Sequence, residues 1–221
     1  MGRFIRSVLK VVALEAVMWG IVFSAAGTVR LPWVWALLSV HTVLMVVGMN
    51  FMDPTLGRER MRPGPGAQDI PTKRGLSVLL LVHLIIAGVD VGRYHWSPPA
   101  PLPLRASALV VFTVAMAFSL WAMVVNRFFS SVVRLQTDRG HHVITDGPYR
   151  FVRHPGYTGL FASAMTGGIV IGSWWSLLPL AVMGVVLARR VVMEDAFLHR
   201  ELVGYVEYAA GVRYKLLPGL W

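Results

Sequence analysis

Long stretches of this chain carry almost no charge, and a polypeptide with several such stretches has few ways to fold. An apolar run of about 20 residues matches the roughly 30 Å hydrocarbon core of a bilayer. Inside hydrocarbon every backbone amide must be satisfied by its own segment, so a helix is the expected solution. Runs of this kind, bounded by charge, predict helices at about 8–27, 31–51, 75–93, 105–127, 157–172 and 174–192. Of the 221 residues, 56% are hydrophobic and only 14% are charged, which excludes a soluble globule and a disordered chain. The expected class is all-α: a polytopic membrane helix bundle of about six crossings that ends in a C-terminal helical hairpin.

The net charge of +10 would suggest nucleic acid in a soluble protein, but its placement argues otherwise. With the N-terminus cytoplasmic, Arg3, Arg6 and Lys10 lie inside, as do Arg58, Arg60, Arg62, Lys73 and Arg74. Arg127, Arg134, Arg139, Arg150 and Arg153 follow on the same side, and then Arg189, Arg190, Arg200, Arg213 and Lys215. Only Arg30, Arg93 and Arg105 of the 21 basic residues fall outside. The positive-inside rule then gives cytoplasmic termini and accounts for the charge through membrane lipids, with no nucleic-acid partner. The first run has the basic start of a signal peptide but no convincing small-x-small cleavage site, so it reads as a retained helix. Without cysteine there is no thiolate nucleophile, disulfide or cysteine metal site.

Polar chemistry concentrates late in the chain. Residues 1–125 read as scaffold helices giving substrate access, and 126–221 as the working part of one integrated domain. The segment from Gln136 to Gly159 mixes His141, His142, Tyr149, His154 and Tyr157 with Gly140, Gly147, Pro148, Pro155 and Gly156. Such a loop leaves backbone groups free for a polar ligand, although a lipid-binding basic loop shares much of this composition. A helical hairpin, broken at Gly172-Ser173-Trp174-Trp175, would return the chain to the same face. There Arg190 and Glu194 stand four apart on one helix face. An ion pair is the ordinary reading of that spacing. The functional one has the guanidinium clamp an anion while the carboxylate accepts hydrogen bonds from a cofactor.

Taken in order, His141 to Arg150, Arg153 to Gly159, Arg190 to Glu194, and Tyr205 with Tyr208 resemble the signature of the isoprenylcysteine carboxyl methyltransferase family. The Arg58-Glu59-Arg60 loop, Asn126-Arg127-Phe128-Phe129 and the ending Val212 to Trp221 are similar to its bacterial branch. The resemblance implies an enzyme of the bacterial inner membrane with a cytoplasmic active site and S-adenosylmethionine as cofactor. It places cofactor contacts at Gln136, His141, His142, Val143, Ile144, Tyr149, His154, Pro155, Gly156, Tyr157 and Glu194. Arg190 would bind the substrate, with Arg190 and Glu194 as the catalytic pair. The implied acceptor is a lipophilic small molecule or prenylated substrate. Asp195 follows Glu194 directly, and because Glu194 stands eleven residues before Tyr205 as in the family pattern, the resemblance implies Glu194 as the key acid.

Three other readings remain beside it. An NADPH-dependent sterol-type reductase would share the hairpin and ending, but Pro155-Gly156-Tyr157 argues against it. A phospholipid N-methyltransferase would keep the cofactor, and a non-catalytic lipid-binding scaffold would need none. Within the predicted spans, Asp90 and Arg93 are expected to pair with each other, and Glu15 with a basic residue at the inner boundary. His41 and His83 are expected to be neutral core histidines, with no metal site anticipated.

Overall fold

A computed structural model describes residues 2–221, apart from the side chains of residues 3, 4, 6 and 7; the Arg3 and Arg6 side chains of the charge argument therefore lie outside the described residues. The apolar runs become α1 (Gly2–Ala26), α2 (Pro32–Phe51), α4 (Ile70–Val89) and α5 (Leu102–Val125). A short α3 (Leu56–Met61) lies between α2 and α4, and α6 (Pro155–Ile171), α7 (Leu177–Glu201) and α8 (Tyr205–Gly211) complete the chain. Proline occupies the first turn of α2, α4, α5 and α6. Its missing N–H costs nothing there, and its fixed φ suits a helix start.

Val8–Ala26, Pro32–Phe51, Ile70–Tyr94 and Leu102–Val125 are each long and apolar enough to cross a membrane. The last two of the six expected crossings are shorter. α6 has 17 residues, and the apolar part of α7 stops at Arg189 and Arg190. At about 1.5 Å per residue, both fall short of a full hydrocarbon core.

Contacts nevertheless order the hairpin along the same axis. Its turn meets Asp90 and Ser97 through Ser173 and Trp174, and Arg105 through Ile171. At the opposite end, Arg190 reaches Asp69 at the start of α4. Residues 53–74, 126–157 and 189–218 thus gather at one end of the bundle.

Small residues set how closely the helices approach, as expected where hydrocarbon supplies no hydrophobic drive between them. α5 and α6 run antiparallel, and a Cβ added at Gly159 would lie 2.5 Å from the Ala115 carbonyl oxygen. On α4, a Cβ at Gly88 would meet the Val22 carbonyl oxygen at the same distance.

Two expected pairings are replaced by others. Asp90 and Arg93 do not pair, because α4 ends in a π-helical turn over Asp90–Tyr94, whose wider winding takes residues three apart off a common face. Buried Asp90 instead accepts hydrogen bonds from Ser97 N (2.8 Å), Ser97 Oγ (2.5 Å) and Ser173 Oγ (2.5 Å). Arg93 donates to the last carbonyls of α1, Ala25 O at 2.6 Å and Ser24 O at 3.0 Å, where a cation suits the helix dipole. Glu15 pairs with His41 rather than with a boundary cation, and accepts a second hydrogen bond from Trp19 Nε1. His83 is buried and bonded to Ser176 O at 2.8 Å, in keeping with a core histidine.

The helix approach gives a direct test. Gly159→Ala should cost about 1–3 kcal/mol through overpacking and lower the thermal unfolding midpoint in detergent. Gly20→Ala, where the new methyl meets nothing within 4 Å, should leave it unchanged or raise it.

Candidate functional site

The irregular segment between α5 and α6 has little regular structure, so its position depends on side chains reaching it from elsewhere. Arg134, 4% exposed, donates to Glu59 of α3 at 2.8 and 2.9 Å and to Asp138 at 3.0 Å. Val133 O accepts from Gln68 N at 2.8 Å, and Arg60 O accepts from Ser131 Oγ at 2.8 Å. The polar segment 53–74 is therefore a wall of the site, a role that sequence reasoning missed. Glu59, an acid among arginines with no basic partner of its own at helical spacing except Arg62, was the available signal.

The C-terminal tail closes the other side. Tyr214 O and Lys215 O accept from the backbone N–H groups of Arg153 and His154, both at 2.9 Å, and Leu216 O accepts from Thr158 Oγ1 at 2.8 Å. Tyr208 Oη donates to Tyr149 O at 2.7 Å.

Between these walls lies a cavity of about 570 Å³ with two wings. The polar wing carries His141, His142, Val143, Ile144, Tyr149, His154, Gly156, Tyr157, Arg190 and Glu194. The apolar wing runs between α1, α2, α4 and α5, past Met18, Met45, Leu76, Met116, Leu120 and Met123. Gln136 and Pro155 do not reach the wall. Gln136 is buried behind it, donating from Nε2 to Phe128 O at 2.6 Å and accepting from Arg139, and Pro155 is buried in the first turn of α6.

Arg190 and Glu194 share a helix face but form no direct ion pair among the described residues. The Tyr157 hydroxyl stands between them, accepting from Arg190 Nε at 2.8 Å and donating to Glu194 Oε2 at 2.6 Å. The guanidinium also donates to Ser131 O at 2.9 Å, and its ion-pair partner is Asp69 Oδ2 at 3.4 Å. Asp69 escaped sequence reasoning. It holds a left-handed backbone (φ 62°) just before α4, uncommon for a residue with a side chain, and its Oδ2 has no hydrogen bond.

The adjacent acid is fully engaged. Asp195 accepts from Arg153 at 2.8 and 3.0 Å, from Tyr205 Oη at 2.9 Å and from His154 Nε2 at 3.3 Å. Burial alone would raise its carboxyl, but the hydrogen bonds from His154 and Arg153 outweigh that and hold it well below the usual carboxylate range. Glu194 has no cation within ion-pair distance among the described residues and lines the cavity, so of the two neighbours it is the acid open to a ligand.

His141 is brought down to about 4, first by burial and then by the charges of His142, Arg134 and Arg139, so it is neutral near pH 7. Its Nδ1 accepts from Gln136 N at 3.2 Å, which assigns the proton to Nε2 as a donor. Phe128 packs against the His141 ring, with centroids 4.6 Å apart.

Residues 107–200 match the model of the isoprenylcysteine carboxyl methyltransferase (ICMT) family. Over these residues the chain is similar to that family. The chain is 34% identical over 71 residues to a protein-S-isoprenylcysteine O-methyltransferase of Schizosaccharomyces pombe, covering 32% of this chain and 30% of the relative. It is 33% identical over 94 residues to a probable protein-S-isoprenylcysteine O-methyltransferase of Oryza sativa subsp. indica, covering 41% and 49%. A third similar protein, protein-S-isoprenylcysteine O-methyltransferase A of Arabidopsis thaliana, is 29% identical over 89 residues, covering 39% and 45%. The chain thus spans between about a third and a half of the length of these relatives. The ICMT match contains the irregular segment, the hairpin, Arg190, Glu194 and Asp195. Glu15, His41, Glu59, Asp69, Tyr205 and Tyr208, which also line or brace the cavity, lie outside it.

The division of labour between the two acids is measurable. Asp195→Asn should strip a buried guanidinium of its partner, cost about 3–5 kcal/mol and loosen the tail. Because the folded carboxyl is depressed, this stability is present above the ordinary carboxylate range and is lost only as pH falls through the lower folded value. The gap in detergent melting temperature between wild type and variant should therefore persist from about pH 5 to 8. Glu194→Gln should melt close to wild type over the same range.

Proposed function

We propose that this chain is an S-adenosylmethionine-dependent membrane methyltransferase that methylates the carboxylate of a lipophilic acceptor of the isoprenylcysteine type. One observation carries the reading: the Tyr157 hydroxyl joins an arginine and a glutamate in a polar chamber that opens directly into an apolar one. A water-soluble donor and a lipid-like acceptor need such adjoining chambers.

The polar wing fits the chemistry of the proposed donor. Glu194 offers an acceptor for ammonium or hydroxyl groups, His141 Nε2–H offers a donor, and Phe128 with the side chains of Val143 and Ile144 offers apolar surface for a nucleobase. His142, Tyr149, His154, Gly156 and Tyr157 complete the wall. Gln136 and Pro155 would act from behind it, Gln136 by fixing the His141 tautomer through its backbone N–H. When bound, S-adenosylmethionine supplies a sulfonium-activated methyl group whose departure needs no proton.

An ionised carboxylate acceptor needs no general base either, so these residues have to position and desolvate it. Arg190 presents the planar fork suited to a carboxylate. Its side chain is held by Tyr157, Ser131 O and Asp69 before any acceptor arrives. Asp69 occupies one nitrogen of that fork, and an incoming carboxylate would compete with it for the guanidinium.

Charge supports a sidedness. The end holding the cavity also holds the basic segments, and the positive-inside rule favours the cytoplasmic face for that end. The α6–α7 hairpin, shorter than a full span, would then supply the fifth and sixth crossings by packing within the bundle, and the donor would enter from the cytoplasm while the acceptor slides in from the bilayer.

Calorimetry on purified protein tests the reading. S-adenosylmethionine or its demethylated product should bind with a dissociation constant on the order of 1–10 µM, and Glu194→Ala should weaken it by at least about tenfold. Arg190→Lys should keep cofactor affinity yet reduce methyl transfer to a prenylcysteine analogue by about 100-fold, through misplacement of the acceptor. Tight NADPH binding with no affinity for the sulfonium compound would overturn the proposal.

A further inference from the structure

The apolar wing is not wholly apolar. Glu15 on α1 and His41 on α2 both line it, among Leu14, Met18, Met45 and Met116. Glu15 is 5% exposed. Its Oε1 lies 2.5 Å from His41 Nδ1, and its Oε2 accepts from Trp19 Nε1. A buried carboxylate that accepts from Nδ1 fixes the proton there and leaves Nε2 as the second, unengaged ring nitrogen. His41 makes no other hydrogen bond among the described residues, and its side chain keeps 24% of its exposure. His83, by contrast, is 3% exposed and lies off the cavity.

This pair sits deep. α1 and α4 run parallel, since Gly88 approaches Val22 and Gly92 approaches Ala26. Glu15, seven residues before Val22, is therefore level with about residue 81 of α4. Arg190 meets Asp69 at the start of α4. Along the helix axis the two points are about 18 Å apart. An ionisable pair at that depth in a membrane bundle is costly unless it has work to do, and tying α1 to α2 would not require it to face a cavity.

We propose that Glu15 and His41 form a hydroxyl-binding subsite at the far end of the apolar wing, so that the acceptor held best is a long-chain carboxylic acid bearing a hydroxyl toward the end of its tail. A hydroxyl is the group that answers Nε2 in either state: it donates to the neutral imidazole and accepts from the imidazolium. A plain hydrocarbon terminus would leave Nε2 facing methylenes with no partner. The inference deepens the methyltransferase reading and rests on it for the acceptor's carboxylate end.

The test compares a long-chain ω-hydroxy carboxylic acid with its unsubstituted parent. Each is bound to the full chain in detergent by competition with a fluorescent fatty acid, with no methyl donor present. Wild type should prefer the hydroxylated acid by at least about tenfold. His41→Leu should abolish the preference, weakening the hydroxy acid and strengthening the parent. His41→Gln, which keeps a side-chain acceptor and guards against a folding artefact, should retain part of it. Equal binding of the two acids by wild type, or an undiminished preference in His41→Leu, would overturn the subsite. A preserved preference combined with no methyl transfer to either acid or to a prenylcysteine analogue, when donor is then added, would leave the subsite standing and overturn the methyltransferase reading instead.

Discussion

Three buried guanidinium groups hold the working end of this protein together, and each depends on an acid supplied by a distant segment. Arg134 of the irregular segment is paired with Glu59 of α3, Arg153 with Asp195 of α7, and Arg190 of α7 with Asp69 before α4. A charge taken out of water is tolerated only when paired and hydrogen-bonded, so none of the three can be satisfied until its partner segment has docked. The pairs therefore act as a registration device as much as a source of stability. They bind loop to loop, loop to hairpin, and hairpin to scaffold, and the cavity is the space they enclose. Among the described residues Glu194 is left without a cation within ion-pair distance, and it lines the cavity. In a site where the neighbouring buried acids are committed, that makes it the group with chemistry to spare.

The helices were readable because the constraint that makes them is local. An apolar run between charges has one stable form in hydrocarbon, and the four segments with that composition over a full span became four long helices. The hairpin was readable for a different reason. Gly172, at φ 91°, stops α6 in a conformation that other residues adopt rarely, and the break stands out within an apolar stretch. Its function as a return path needed only that Arg190 and the irregular segment end on one side.

What sequence spacing did not reveal was partnership. Arg190 and Glu194 at i and i+4, and Asp90 and Arg93 at i and i+3, have the separations of ordinary helical pairs. In both cases tertiary contacts supplied stronger alternatives. Tyr157, from the facing helix, inserts between the first pair. The serines of two neighbouring segments take Asp90, while the carbonyls ending α1 take Arg93. Propensity and spacing describe one helix, and these choices belong to several. For the same reason the role of segment 53–74 as a wall of the site was hidden. Its acids answer arginines more than 70 positions away, which no local window contains.

The two wings of the cavity place opposite demands on their surroundings, and the fold meets them by depth. Near the end of the bundle, backbone groups freed by glycine and proline, with histidines and arginines, can surround a polar ligand because the membrane boundary keeps water close. Further in, methionine and leucine side chains on four helices give a surface that adapts to flexible hydrocarbon without fixing its shape. Tyr157 stands at the junction, with one face on Arg190 and its hydroxyl on Glu194. Under the proposed reading, a carboxylate brought there from the apolar side would exchange water for a preformed guanidinium beside the polar wing. In the proposed reading, the strengthening of charge interactions in such a desolvated setting is the physical reason to build a site of this kind at a membrane boundary, where neither solvent alone would hold both a polar donor and a lipid-like acceptor.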